Sequence, residues 1–299
     1  MRVACATMTE TIRATRPEPP PRVSADIDVA RAPIPKWAIG EFFGTFLLVF
    51  FGCGSVCAAV ATGAQVGVFQ VAIVWGLGIA TAIYLTGALS SAHLNPAVTI
   101  ASAAWSRFPI RLVLPYVLVQ MVAAFTAAAL LYSIFGGAIA GYEAKHGIAR
   151  GAEGSEATAM VFGEYFPNPG GKPLTPETRA IMTPGRAFGA EVVGTAILVL
   201  VIFCATDERN ATRPQILTAA TIGLTVTLII SLIGPLTMAC LNPARDFAPR
   251  IFSSLAGWGS VPFTANGSGW LTVYIIAPIV GGLLGGGIYR VFFHAAYRS

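Results

Sequence analysis

The tetrapeptide Leu94-Asn95-Pro96-Ala97 returns as Leu241-Asn242-Pro243-Ala244. Upstream of each copy lies a second matched pair, Gly40-Glu41-Phe42-Phe43-Gly44-Thr45 and Ala190-Glu191-Val192-Val193-Gly194-Thr195, in the same order and at nearly the same offset. Two matches at one offset mark an internal duplication, so the fold must be built from two equivalent halves. Apolar runs say what each half is. Trp37–Ala61, Val68–Thr86 and Leu112–Ile134 lie in the first half; Ala187–Ala205, Ile216–Ile233 and Leu271–Phe293 lie in the second. Each approaches the ~20 apolar residues that cross a bilayer as a helix. The chain is 55% hydrophobic and 11% charged, where an ordinary soluble domain has about a quarter of its residues charged. Three crossings per half is an odd number, so the halves take opposite orientations in the membrane. Inverted repeats of this kind place a functional site near the midplane, at discontinuous helices.

Two apolar segments remain, 95–105 and 242–255, and each begins at the duplicated Asn-Pro. They are too short to cross. Proline suits a first helical turn, where its missing N–H loses nothing, and asparagine suits the cap before it. A helix starting at membrane depth is tolerated only when buried in protein or lining a wet cavity. Its N-terminus carries roughly half a positive charge, and two such ends meeting at the midplane raise a barrier to cations. The expected fold is an all-α membrane protein of six transmembrane helices plus two re-entrant half-helices. Residues 1–36, with the run Pro19-Pro20-Pro21, form a flexible tail; 37–135 the first repeat; 136–186 a loop; 187–293 the second repeat; 294–299 a short C-terminus.

The net charge of +5 does not point to nucleic acid, because its distribution follows the membrane. Arg2, Arg13, Arg16, Arg22, Arg31 and Lys36 precede the first span, and Arg290 and Arg298 fall at or beyond the end of the last. Arg107, Arg111, Arg209 and Arg213 lie in loops on the same side. Short basic loops stay cytoplasmic, which puts both termini on the cytoplasmic side of a cell membrane and loop 136–186 on the outer side. Cys53, Cys57, Cys204 and Cys240 sit in or beside apolar spans without metal-ligand spacing and read as small buried hydrophobes.

Glu41 and Glu191 are carboxylates within apolar spans, which makes each a candidate functional group. They could couple transport to protons, or each could accept backbone N–H groups from the re-entrant loop of its own half; the two-fold repetition favours the structural role. His93 has no paired ligand nearby and reads as an imidazole that holds its loop rather than a metal ligand or pH sensor. No nucleophile–base pair or metal cluster is present, so the sequence offers no catalytic, cofactor or metal site and does not read as an enzyme.

The two boxes, with Arg245-Asp246 after the second and Ser91-Ala92-His93-Leu94-Asn95-Pro96-Ala97-Val98-Thr99 around the first, resemble the major intrinsic protein family, the aquaporins and glycerol facilitators. The resemblance runs from about Trp37 to Arg290. It implies a right-handed bundle around one pore, with the half-helices abutting through Pro96, Ala97, Pro243 and Ala244. Asn95 and Asn242 would donate to a passing oxygen. Carbonyls of Ser91, Ala92 and His93, and of Met238, Ala239 and Cys240, would accept along the opposite stripe. Each permeant hydroxyl then finds a donor and an acceptor in place of lost water, and oriented dipoles exclude cations and protons. The family also implies a homotetramer with one pore per subunit. Gly281, Gly282, Gly285 and Gly286 have small-xxx-small spacing suited to close helix packing, within or between subunits.

Within the family the chain is similar to the glycerol-conducting branch. Asp246 marks that branch, as do Tyr132, Arg250, Pro278, Ile279 and Tyr165-Phe166-Pro167-Asn168-Pro169. In Val74-Trp75-Gly76-Leu77-Gly78, Trp75 matches the tryptophan of the glycerol selectivity filter, and Ile79 follows one turn on as pore wall. Ile230 and Ala239 replace the usual glycine and phenylalanine. A filter of Trp75, Ile230, Ala239 and Arg245 is similar to that of the nodulin-26-like branch, which passes glycerol and small metalloid hydroxides. The resemblance therefore implies a passive channel for glycerol, water and similar small uncharged solutes such as urea. An arsenite or boric acid channel is the alternative within the family, and a proton-coupled transporter using Glu41 or Glu191 the alternative outside it.

Overall fold

The computed structural model describes residues 34–297. Residues 1–33, nearly all of the expected tail, and 298–299 lie outside it. In chain order the principal helices are α1 Lys36–Thr62, α2 Val68–Ser90, α3 Pro96–Trp105, α4 Ile110–His146, α5 Pro184–Thr206, α6 Gln215–Thr237, α7 Pro243–Ser253 and α8 Gly269–Ala296. Six of these are long and apolar enough to cross a membrane; α3 and α7 are the two short ones.

The contacts repeat with the sequence. In the first half α1 packs on α2 and α4; in the second α5 packs on α6 and α8. The half-helices cross over, α3 lying against α8 and α7 against α4, and α2 meets its counterpart α6. That last crossing is close because both helices place glycine there. A Cβ on Gly76 would lie 2.5 Å from the carbonyl oxygen of Gly223, and one on Gly223 would lie 2.2 Å from that of Gly76. The glycine pattern of α8 packs inside the chain: Gly281 and Gly285 face the backbone of Val192 and Ala196 on α5, Gly282 faces Ala97, and Gly286 faces Trp105. Small residues let helix backbones approach where apolar burial alone gives no drive, since lipid is as apolar as leucine.

The structure departs from the sequence reading between residues 136 and 186. The third crossing does not stop near Ile134 but runs through Gly136, Gly137 and Gly141 to His146, where Gly147 at φ 65° ends it. Each glycine disfavours helix by about 1 kcal/mol relative to alanine, and tertiary contacts override that. Ile139 and Glu143 are buried. Glu143 accepts from Arg150 Nη2 at 2.7 Å and from the Thr158 hydroxyl at 2.8 Å, while the Tyr142 hydroxyl donates to the Gly171 carbonyl at 2.9 Å. With 37 residues, α4 spans roughly 55 Å at ~1.5 Å per residue, well beyond the ~30 Å hydrocarbon layer. Beyond it the chain does not stay at the surface as a loop would. Residues 155–167 are buried and fold back over the Arg245 end of the bundle.

Candidate functional site: a pore at the midplane

Each half-helix starts in the interior of the bundle, and its start is built the same way twice. Pro96 and Pro243 occupy the first turn. The Asn95 side-chain oxygen accepts from Ala97 N at 2.8 Å, and that of Asn242 accepts from Ala244 N at 3.1 Å and Arg245 N at 3.3 Å. The amide nitrogens then cross between repeats: Asn95 Nδ2 donates to the Leu241 carbonyl and Asn242 Nδ2 to the Leu94 carbonyl, both at 2.8 Å. Each amide has two N–H donors, so one on each remains, and both asparagines border the central cavity.

The loops leading into the half-helices hold non-glycine residues in the left-handed region: Ser91, Ala92 and Leu94 at φ 65°, 47° and 53°, and Met238, Ala239 and Leu241 at 66°, 60° and 55°. Such residues carry about 1–3 kcal/mol of strain each and persist only where surroundings over-determine them. Here the buried acids do so. Glu41 accepts from His93 N at 2.9 Å and Leu94 N at 2.8 Å; Glu191 accepts from Cys240 N at 3.0 Å and Leu241 N at 2.9 Å. Hydroxyls complete the pattern. Ser90 Oγ and Thr237 Oγ1 accept from Ala92 N and Ala239 N, while the hydroxyls of Tyr116 and Tyr274 donate to the carbonyls of Ser90 and Thr237. This strap of acid, hydroxyl and tyrosine also was in the sequence, at equivalent places in the two halves, but outside the boxes that drew attention. His93 Nδ1 lies 3.3 Å from the Thr99 hydroxyl, and its ring packs on Phe108 and Tyr116, which holds the loop.

Two cavities run along this axis, one of about 750 Å³ and one of about 560 Å³. They share three lining residues: Trp75, Ile230 and Arg245. Ile79, Ser91, Ala92, His93, Asn95, Ala239, Cys240 and Asn242 border the smaller cavity, and Met238 borders the larger. Pro96, Ala97, Pro243, Ala244, Glu41, Glu191 and Asp246 stand behind the lining rather than in it. The Arg245 guanidinium carbon lies 4.4 Å from the centre of the Trp75 ring, so an indole face and a fixed set of N–H donors meet where the cavities narrow.

The structure gives Arg245 an acidic partner that the sequence analysis did not name. Arg245 Nε lies 3.0 Å from Glu164 Oε1, both side chains buried, and Nη1 donates to the Phe162 carbonyl at 3.1 Å. Nη2 has no protein acceptor among the described residues. Asp246 holds the Glu164 segment down: it accepts from Glu164 N at 2.6 Å and forms a forked pair with Arg250, both bonds 2.8 Å. Arg250 donates in turn to the Glu164 and Pro262 carbonyls. Glu164 was missed because no motif surrounds it; the signal available was the apolar run Ala157-Thr158-Ala159-Met160-Val161-Phe162-Gly163 just before it, unusual for a solvated loop.

A bundle of six spans with two crossed half-helices, bored by two cavities that meet at one amphipathic constriction, defines a polytopic membrane channel. The family model for the major intrinsic protein matches residues 29–289. The chain belongs to that family. It is 41% identical over 253 residues to the glycerol uptake facilitator protein of Haemophilus influenzae, covering 84% of this chain and 91% of that one. The glycerol uptake facilitator protein of Escherichia coli K12 is 42% identical over 253 residues, covering 84% and 86%, and the propanediol uptake facilitator PduF of Citrobacter freundii is 40% identical, covering 84% and 90%. Among solved structures, the X-ray structure of the aquaglyceroporin from Plasmodium falciparum superposes with a TM-score of 0.75 at 26% identity, covering 88% of this chain and 98% of that one.

Proposed function

We propose that this protein is a passive channel for glycerol and comparable small uncharged solutes, water among them, and that it excludes ions and protons. The observation that carries the reading is the constriction shared by both cavities. Trp75 and Ile230 give it an apolar wall for a carbon backbone; Arg245 Nη2 gives it a donor for hydroxyls. Farther in, the remaining N–H of Asn95 and of Asn242 supplies the next donors, and the carbonyls of the re-entrant loops supply acceptors. A polyol then exchanges water for fixed partners one hydroxyl at a time. Relatives that share about four-tenths of the sequence over most of the chain are named for glycerol or propanediol uptake, which fits that amphipathic lining.

Proton coupling through Glu41 or Glu191 has little support. Both are committed to their loops by backbone and side-chain donors, Glu41 also by Gln120 Nε2 at 2.8 Å and Glu191 by the Thr237 hydroxyl at 2.6 Å. The end of the bundle where α1 begins and α8 ends is read as cytoplasmic: Arg107, Arg111, Arg209 and Arg213 lie in the short connections there, with Lys36 and Arg290 at the adjoining helix ends, against Asp207 and Glu208. The Arg245 end then faces outward. A homotetramer with one pore per chain is the assembly that the family resemblance carries.

The test is solute flux in proteoliposomes with and without an imposed proton gradient. Glycerol should equilibrate downhill at one rate in both conditions. Accumulation of glycerol against its own gradient would overturn the channel reading, and arsenite or boric acid flux without glycerol flux would replace its substrate.

A further inference from the structure

We infer that Glu143, Arg150 and Thr158 are positioning residues for Arg245: resting on the solute route proposed above, an ion pair away from that route fixes where the arginine of the constriction sits. Two acceptors hold Arg245, the Phe162 carbonyl and Glu164 Oε1. Both belong to the segment 158–164 that folds back over this end of the bundle. Asp246 and Arg250 tie the Glu164 end of the segment down, but they stand on α7, the same half-helix as Arg245. They fix segment and arginine to each other. They do not fix the two against Trp75 and Ile230, which stand on α2 and α6.

The other end of the segment is tied to α4. The Thr158 hydroxyl lies 2.8 Å from Glu143 Oε1 and 3.2 Å from the Ser155 carbonyl, and it accepts from Trp258 Nε1 at 3.0 Å. Arg150 grips the same carboxylate: its Nε lies 3.1 and 3.0 Å from the two oxygens and its Nη2 2.7 Å from Oε2. Its Nη1 donates to the Tyr132 hydroxyl at 2.6 Å, and its guanidinium carbon lies 4.2 Å from the centre of the Trp258 ring. Glu143, Thr158 and Trp258 are buried, and a forked pair so enclosed is geometrically specific. From Thr158 the backbone bonds continue without a gap: Val161 N donates to the Thr158 carbonyl at 3.3 Å, and Phe162 N and Gly163 N to the Ala159 carbonyl at 3.1 and 3.2 Å. The Phe162 ring packs on Phe252 and Trp258, with centroids 5.4 and 5.8 Å apart. One bonded turn thus joins Thr158 to the acceptors of Arg245, so a shift at Glu143 moves them, and hydrogen bonds weaken steeply once alignment is lost. Glu143, Arg150, Thr158 and Trp258 border neither cavity. They act through Arg245 and not on the solute.

The test measures glycerol and xylitol flux in the same proteoliposomes by stopped-flow light scattering. Their ratio does not depend on how many channels fold and insert, so a loss of stability alone leaves it unchanged. Wild type should pass glycerol faster than the longer polyol. Thr158→Val removes the hydroxyl and keeps the shape; Glu143→Gln keeps an acceptor for Thr158 and breaks the ion pair. Each should lower the ratio about threefold, the size expected for one lost hydrogen bond, and Thr158→Ser should restore it. Glu164→Gln should lower the ratio as well. Combined with Thr158→Val it should change the ratio little further, because both act through one arginine. A wild-type ratio in both Thr158→Val and Glu143→Gln, or fully additive changes in the double variant, would overturn the inference and leave the solute route standing. Absence of glycerol flux in wild type would overturn the route and the inference with it.

Discussion

At the scale of the residue, the informative pair is Arg245 and Glu164. A buried ion pair that loses one partner leaves an uncompensated charge, which typically destabilises by about 3–5 kcal/mol. Arg245→Val should therefore do two separable things. It should lower the unfolding midpoint in detergent, and it should leave the Glu164 carboxyl beside the constriction without the fixed cation that turns other cations away. Arg245→Val with Glu164→Gln removes the orphaned charge. The double variant should recover much of the stability and leak fewer protons and cations across planar bilayers than Arg245→Val alone. Equal leak from the two would mean that the half-helix dipoles at Asn95 and Asn242 alone set ion exclusion. This pairing was not legible from sequence. Arg245 was visible because it follows a duplicated box, whereas Glu164 reaches it from a segment with no repeat and no motif, 81 positions away by the chain and 3.0 Å away in space.

At the scale of the element, each re-entrant loop depends on its buried acid. Glu41→Ala leaves His93 N and Leu94 N without acceptors at membrane depth, where each unsatisfied backbone group is expensive, and it releases the strained φ values of Ser91, Ala92 and Leu94. Protein that still inserts should show reduced glycerol flux and faster amide exchange in residues 91–95. Unchanged exchange would mean that the crossed asparagine bonds hold the loop unaided. A second element-scale case lies on the terminal face. Burial alone would raise the Asp207 carboxyl, yet the hydrogen bonds from Arg209 and Tyr289 and the Arg209 charge hold it well below the ordinary carboxylate range. A folded pKa below the unfolded value near ~3.9 stabilises the fold fully above that value and loses its contribution as pH falls through the folded one. Asp207→Asn should thus lower the melting temperature at pH 7, with the gap to wild type closing only below about pH 4. A gap that is constant from pH 7 to pH 3 would assign the effect to hydrogen-bond geometry rather than charge. The elements themselves were largely readable. Six apolar runs and two Asn-Pro starts were enough to place eight helices, because lipid demands long uninterrupted apolar helix and the boxes mark where it breaks. The end of α4 was not readable, because its glycines and charges resemble a loop until Arg150 and Thr158 are seen on Glu143.

At the scale of the whole molecule, the inverted repeat explains why a pore exists at all. Each half supplies an N-terminus that cannot be buried in lipid, and only the other half can cover it. The half-helices therefore exchange partners, α3 against α8 and α7 against α4, and the two Asn-capped ends meet beside one cavity. The repeat does not extend to the lining that the two cavities share, where Trp75 and Ile230 come from the equivalent helices α2 and α6 but Arg245 follows one box only. That asymmetry narrows the path at one place. The proposed solute route passes through that place. The direct measurement is glycerol-driven swelling of proteoliposomes by stopped-flow light scattering, comparing wild type with Ile230→Trp, after both are shown to be folded and equally incorporated. Ile230 borders both cavities, so an indole in its place should close the constriction and bring glycerol flux down to that of protein-free vesicles. Glycerol flux retained at the wild-type rate would contradict the assignment of the pore.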